Sequence, residues 1–353
     1  MKYVVVILSL IFFVGCKSDK KDYVKCDKVV NVLSFPKEID LKNPYELSID
    51  LIGCVDIVQA DSLLICKRET EDKFWEIYSL NTLKSYGKYF RKGHGKNEFE
   101  WMPSSENVYY VNDSLFCDIY KSSSNKLYTC NLTSTIQCNE LSLSEKFDFS
   151  AYGDMCNVID VNDSMYFCVK YNKSCGFLRT IVNYAGDEQV VDPGNLNRVG
   201  TDEISLLSSY RIVNAKQKIV VEGMLRFPQI NFYSFNNDMN ITLSMEPELH
   251  SKSSIENCSK SARRKYFGEI LPMENFFGAM YYDIPLKEFY DGSAKGSKIL
   301  FFKWDGTPIL KINLPYVATS FFIYKNRLYV FSGSGENESL KMYDCPAILT
   351  KYK

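Results

Sequence analysis

Histidine is nearly absent: His94 and His250 are the only two in 353 residues. That scarcity argues against a histidine-based metal centre and against a crowded acid–base site. Charge of one sign is missing too. The chain carries 42 Lys and Arg against 43 Asp and Glu, with no long block of either. A basic face for nucleic acid is therefore not expected. The twelve cysteines include no Cys-x-x-Cys pair, so a redox motif of that type is not indicated. Zinc-ligand spacing, a Gly-x-Ser-x-Gly elbow and a Walker string are also lacking. Adjacent carboxylates such as Asp202-Glu203 do not amount to a glycosidase pair. No catalytic residue, metal or cofactor is expected from these absences.

No apolar run is long enough to span a bilayer comfortably. The longest, Tyr3 to Phe13, follows Met1-Lys2 and ends in Phe13-Val14-Gly15-Cys16. A small residue before a cysteine, after an apolar core, resembles a bacterial lipoprotein signal. The resemblance implies cleavage of residues 1–15 and lipidation of Cys16. Residues 16–27 would then be a lipidated cysteine and a charged tether that includes Lys17 to Asp22. Residues 28–353 would form a single domain.

Tyrosine (25) and phenylalanine (23) are abundant, and both suit a half-buried pleated surface. From Lys298 to Phe331 three β-rich runs are separated by Asp305-Gly306 and Lys325-Asn326, and Asp-Gly between apolar runs marks a hairpin. Looser copies occur throughout. Gln59 to Ile65 (QADSLLI), Val111 to Cys117 (VNDSLFC) and Val161 to Phe167 (VNDSMYF) each read as strand, tight turn, strand. Weaker copies lie at Ala215 to Val220, Glu274 to Ala279 and Lys325 to Val330. Taking Asp61, Asp113, Asp163, Gln217, Asn275 and Asn326 as equivalent, the spacings are 52, 50, 54, 58 and 51. Six units of this length predict an all-β, six-bladed β-propeller of four-stranded antiparallel blades.

In the second unit, strands are expected over Asn107 to Val111, Leu115 to Tyr120, Lys126 to Leu132 and Ile136 to Leu141. The last unit ends after three strands, around Ser339 to Cys345. The surplus strand Val29 to Phe35 is expected to complete it against Leu340 to Tyr343, removing the open edges of the array. Ser253 to Lys265 breaks the β pattern. Ser253 and Glu256 stand at capping-box spacing, and Arg263, Arg264 and Lys265 suit a helix C-terminus. A short helical insertion between blades four and five is expected there. Cys54 and Cys66, Cys156 and Cys168, and Cys130 and Cys138 straddle expected turns. Each pair reads either as a cross-strand disulfide or as small buried hydrophobes, and Cys168 could face Cys175 instead.

One further string lies between the first and second units: Gly87 to Phe99, GKYFRKGHGKNEF. With the lipoprotein-like start, the six units and Trp304-Asp305-Gly306, it resembles the TolB-like six-bladed propeller lipoproteins of Bacteroidales-type bacteria. Those proteins commonly show a G-x-G-x-x-E-F string, matched here by Gly93, Gly95, Glu98 and Phe99, with Lys96 where proline is usual. The resemblance covers most of residues 28–345. It implies the fold and an outer-membrane lipoprotein, periplasmic or surface-exposed, but no activity. In such bacteria Ser62, Ser114 and Ser164, each in an Asp-Ser-apolar context, would qualify for glycan attachment; the turn reading explains the same strings.

Strand order places the loops. Crossovers from an outer strand to the next inner strand emerge on one face, together with the loop inside each second hairpin. That face holds Arg91, Lys92, His94, Glu98 and Trp101, the helical insertion with His250, and Ile284 to Ser297 with Tyr290. The N–H groups of Gly93-His94-Gly95 could bind an anion, or the glycines could serve a tight crossover. The expected function is a membrane-anchored binding or scaffold propeller for a glycan, peptide or envelope protein. The alternative is a carbohydrate-active hydrolase or lyase with its site at the same mouth.

Overall fold

The structure is a computed structural model and describes residues 26–69, 71–95, 97–162, 165–172, 176–191, 204–333 and 338–352. Cys16, Lys96, Asp163, Ser164, Cys175, Asp202 and Glu203 lie outside the described residues.

Six small antiparallel sheets succeed one another along the chain. Three short strands come first: β1 (Lys28–Asn31), β2 (Glu38–Asp40) and β3 (Tyr45–Glu46). Blade 1 comes next as β4 (Cys54–Ala60), β5 (Leu63–Arg68), β6 (Lys73–Ser79) and β7 (Ser85–Arg91). Blade 2 is β8 (Ser104–Val111), β9 (Ser114–Lys121), β10 (Lys126–Asn131) and, after helix α1 (Leu132–Cys138), β11 (Leu143–Asp148). Blade 3 is β12 (Met155–Asn162), β13 (Met165–Asn172), β14 (Gly176–Asn183) and β15 (Glu188–Val190). Blade 4 is β16 (Ser209–Asn214), β17 (Ile219–Met224), β18 (Gln229–Ser234) and β19 (Asn240–Ser244). After α2 (Lys252–Glu256), blade 5 is β20 (Arg264–Pro272), β21 (Phe276–Pro285), α3 (Leu286–Tyr290), β22 (Ser297–Lys303) and β23 (Pro308–Leu314). Blade 6 is β24 (Ser320–Tyr324), β25 (Arg327–Ser332) and β26 (Ser339–Asp344), with α4 (Ala347–Thr350) after it.

The inner hairpins turn where the repeated strings stand. Asn112 and Asp113 both adopt positive φ between β8 and β9, as do Lys325 and Asn326 between β24 and β25, and Asp61 does so between β4 and β5. Asn and Asp tolerate that conformation better than most side chains do, and the two-residue turns it gives match the twist of the strands they join. Trp304 fixes the corresponding turn of blade 5, donating its indole N–H to the carbonyls of Met273 and Glu274 at 3.1 and 3.2 Å.

The apolar side chains form six clusters, one at each seam between neighbouring blades. Phe301 and Ile312 of blade 5 meet Phe321 and Val330 of blade 6. Ile65 and Trp75 of blade 1 meet Cys117 and Ile119 of blade 2, and Phe322 and Phe331 of blade 6 meet Ile57 and Leu64 of blade 1. A four-stranded blade buries both faces only between two others, so the closed ring is the unit of stability.

Closure departs from the sequence expectation. The strand beginning near Val29 does not join blade 6. β1 runs parallel to β19, the outer strand of blade 4, and β2 runs parallel to β23, the outer strand of blade 5. Blades 4 and 5 are thereby five-stranded. Blade 6 is completed by β3, with Tyr45 opposite Met342 and Glu46 opposite Lys341. The N-terminal segment is thus a strap across three blades. Its next residues are held by Arg68, whose guanidinium donates to the carbonyls of Asp50, at 2.6 Å, and Ile52, and pairs with Glu76 at 2.9 Å.

Three local expectations are corrected. Ile136 to Leu141 is not the outer strand of blade 2. Asn131 accepts from the backbone N–H of Ser134 at 2.9 Å and starts α1, so the outer strand begins only at Leu143. The expected helix from Ser253 to Lys265 is confined to Lys252–Glu256, with Ser251 as its cap, because Arg264 and Lys265 already belong to β20. Two of the cysteine pairs are not met. Cys130 lies opposite Cys117 rather than beside the exposed Cys138, and Cys156 is exposed while Cys168 is buried. Cys54 and Cys66 are both buried and close enough to share a hydrogen bond, and all of these thiols are free.

Candidate functional site

The crossover between blades 1 and 2 carries most of the site residues expected from sequence. Arg91 ends the outer strand β7, whereas Trp101 lies three residues before the inner strand β8. The two therefore stand at opposite ends of a crossover that runs from the rim inwards. Lys92 donates its backbone N–H to Asp72, in the loop inside the second hairpin of blade 1. On the other face Leu80 donates to Ser62, joining the inner-hairpin turn to the outer-hairpin turn. Trp101 and the described Asp-Ser turns, at Ser62 and Ser114, are accordingly on opposite faces.

The glycine string has a structural explanation. The Glu98 carboxylate accepts the Gly95 N–H at 2.9 Å, and the Gly93 N–H is taken by the Phe99 carbonyl at 3.0 Å. A Cβ on Gly93 would stand 2.1 Å from the Glu98 carboxylate. Gly93 and Gly95 make room for this acidic side chain, and Phe99 anchors the turn against Phe90 in the seam. The loop supplies its own anion, so the glycines serve the crossover and these two N–H groups are already taken. Around it, Arg91 lies 3.7 Å from Glu98, His94 pairs with Glu100 at 3.0 Å, and Lys92 sits over the Phe74 ring. Trp101 is 71% exposed and Tyr290, at the end of α3, is 74% exposed. Ser62 and Ser114 stand at inner-hairpin turns on the opposite face, each partly exposed.

A second group, which sequence reasoning missed, occupies the channel. Asp56 of β4 pairs with Lys67 of β5 at 2.9 Å and accepts a hydrogen bond from the Ser320 hydroxyl of β24 at 2.8 Å. The next residue, Phe321, donates its N–H to Glu269 of β20 at 3.3 Å. Tyr210, second in β16, is influenced by the charges of Asp56 and Glu269. Asp56 and Tyr210 belong to blades 1 and 4, on opposite sides of the ring, so the space they share is the central channel. Asp56, Tyr210 and Ser320 stand near the start of their strands, which places the cluster towards the crossover face.

Two features aim these side chains. The register slips between Cys54 and Asp56 on β4, and again between Phe267 and Ile270 on β20. On β4 the extra residue is Val55 and on β20 it falls within Gly268-Glu269; each bulge changes the direction of the side chains beside it, here Asp56 and Glu269. Gly268, inside the second bulge, lets Tyr282 approach; a Cβ there would lie 2.7 Å from its hydroxyl. Burial, then the neighbouring Asp56 charge, pushes the Glu269 carboxyl up to about 8. Glu269 is thus protonated at neutral pH and can donate a hydrogen bond. Burial also pushes the Tyr210 hydroxyl up to about 12. Among the described residues no group of three or more His, Cys, Asp or Glu is placed to hold a metal ion. No described helix is long and apolar enough to cross a membrane.

No protein-family model and no curated protein matches the sequence. Solved structures do resemble it. A Bacteroides fragilis protein classed as exported is 10% identical, with 89% of this chain and 99% of that one covered at a TM-score of 0.50. A member of the DUF4221 family from Bacteroides vulgatus is 12% identical, with 92% and 98% covered at a TM-score of 0.48. At such identities the first of these likenesses speaks for a common fold over nearly the whole of both chains, and for nothing further.

Proposed function

We propose that the chain is a lipid-anchored, TolB-like binding propeller of the bacterial cell envelope, and that it takes a glycan at the crossover-side mouth of its channel. The observation behind this reading is the polar throat of Asp56, Lys67, Ser320 and Glu269, with Tyr210 inside it and exposed aromatic residues on the same face. Hydroxyl-rich ligands suit such a surface. The carboxyl groups of Asp56 and Glu269 and the lysine hydrogen-bond the hydroxyls, and ring faces cover the apolar C–H faces of a sugar. Arg91, Lys92, His94 and Glu98 would form the outer rim on the blade 1–2 side.

A second reading has support from Glu269. Two carboxyl groups in one throat, with that of Glu269 pushed up, resemble what an acid–base pair needs, so a hydrolase or lyase would use the same throat. One set of variants tests both readings. Titrating envelope-derived oligosaccharides by calorimetry, Trp101→Ala and Tyr290→Ala should each weaken binding by about fivefold to tenfold. Glu269→Gln keeps the neutral, hydrogen-bonding form, so it should bind within a few-fold of the parent. If that variant also abolishes a measurable turnover by the parent, the protein is an enzyme. Unchanged affinity in both aromatic variants would remove the mouth from consideration.

Glu269→Gln also has a pH signature. The folded-state pKa of Glu269 is raised, so the stability it contributes is fully present below the ordinary carboxylate range. That contribution is lost as pH rises through about 8. The glutamine variant should lose less stability than the parent between pH 5 and pH 9 in thermal melts.

The anchor has its own test. Cys16→Ala should abolish lipidation and move the protein from the detergent phase to the aqueous phase on phase separation. Two or more acyl chains hold a protein on a membrane stably, at about 0.8 kcal/mol per buried methylene, so the change should be near complete. Unchanged partitioning would end the lipoprotein reading.

A further inference from the structure

The crossover from β19 to β20 is pinned at both ends to the turn between β17 and β18. Met245 donates its N–H to the Pro228 carbonyl at 2.8 Å, and Tyr266 donates to Leu225 at 2.9 Å. Between these two clamps the crossover and the turn enclose a cleft of about 790 Å³. Leu249, Ile255, Ala262 and Tyr266 wall it, and Arg226 lines it from the turn. None of the throat residues lines this cleft.

The charged groups around the cleft are unequal. Arg264 pairs with Asp283 at 2.6 Å, and Arg263 donates to the carbonyls of Ile255 and Glu256 at 3.2 and 3.3 Å. Glu246 is engaged by His250 at 2.7 Å, and Glu248 is exposed. Arg226 differs from all of these. Its guanidinium makes no hydrogen bond or ion pair with any described residue, and its Nη1 is buried without a partner. A buried donor left unsatisfied is costly, and a guanidinium is rarely left so. The nearby charge that it does feel is another cation, Lys265, whose ammonium rests on the Phe289 ring at 3.8 Å. Two cations therefore stand together with no carboxylate paired to either among the described residues.

We propose that the cleft between the blade 4 turn and the blade 4–5 crossover binds a small organic anion, whose oxyanion pairs with Arg226. A guanidinium matches the geometry of a carboxylate or phosphate and bonds either more strongly than a neutral group. The cleft is much larger than a single ion needs and falls within the usual range for small-molecule sites. Its apolar walls and the Tyr266 ring would cover the carbon skeleton of the ligand. The inference does not depend on a glycan binding at the throat.

Calorimetric titration of the full-length protein at low ionic strength tests this, with glucuronate, glucose 6-phosphate and glucose as probes of one size. At least one of the two anions should bind about tenfold or more tightly than glucose, and the tighter of them tells carboxylate from phosphate. Raising the salt should weaken that binding. Arg226→Gln should lose about tenfold or more in affinity for the anion, while Arg226→Lys, which keeps the charge but not the fork, should fall between. Ala262→Glu places a carboxylate at an exposed position of the wall, where the fold has little to lose, and should also abolish anion binding. Neither anion binding better than glucose would overturn the proposal. So would an anion affinity that Arg226→Gln and Ala262→Glu leave unchanged.

Discussion

Replacing Glu222 with alanine should destabilise the fold by about 3–5 kcal/mol, and urea or thermal denaturation would measure the loss. Glu222 lies on β17 of blade 4 and Arg179 on β14 of blade 3; their side chains are 0% and 1% exposed. The two form a bidentate pair across the seam, at 2.6 and 3.0 Å. Arg211 adds a third contact at 2.9 Å, and the hydroxyls of Tyr233 and Ser209 also donate to the same carboxylate. Removing Glu222 would leave two guanidinium groups facing each other in a buried seam, which water cannot relieve.

Burial alone would raise the Glu222 carboxyl, but the charges of Arg179 and then Arg211 hold it well below the usual carboxylate range. A depressed folded-state pKa contributes stability above the ordinary carboxylate range, and that contribution fades as pH falls below it. Glu222→Gln should therefore behave most unlike the parent at neutral pH and approach it in acid. A Glu222→Ala protein that melts within 1 kcal/mol of the parent would show that the two arginines find other partners.

Part of this molecule is legible in its sequence because the information is local. The hairpin turns at Asp61, Asn112-Asp113 and Lys325-Asn326 announce themselves by residue type, and their spacing then counts the blades. Helix α1 carries a local cue that its neighbours outweigh. Asn131 stands in the capping position, but the β-branched Thr133, Thr135 and Ile136 read as strand. The throat has no local cue at all. Ser320 and Asp56 are 264 positions apart, and only ring closure brings them within hydrogen-bonding distance. The bulges that aim Asp56 and Glu269 are register events between strands, which residue type alone does not reveal.

The strap obeys the same logic and yields a graded prediction. Val29 to Phe35 is legible as strand-forming, but its partner is not, because an apolar edge strand fits any open blade edge. The actual closing strand, β3, is only two residues long and too short to recognise. Its grip comes from the residues just after it. Leu47 donates its N–H to Leu340 at 2.9 Å, and Leu47 and Leu51 enter the seam between blades 6 and 1. Deleting residues up to 36 removes β1 alone and uncovers the outer edge of blade 4, so a modest loss of stability is expected. Deleting residues up to 52 removes β2, β3, both leucines and the carbonyls that Arg68 binds. Each buried leucine alone stabilises by about 2–5 kcal/mol, and opening the ring exposes two strand edges. The longer deletion should yield an aggregation-prone chain with no cooperative melt, while the shorter one still folds. Equal melting of the two truncated proteins would mean that the ring closes without β3.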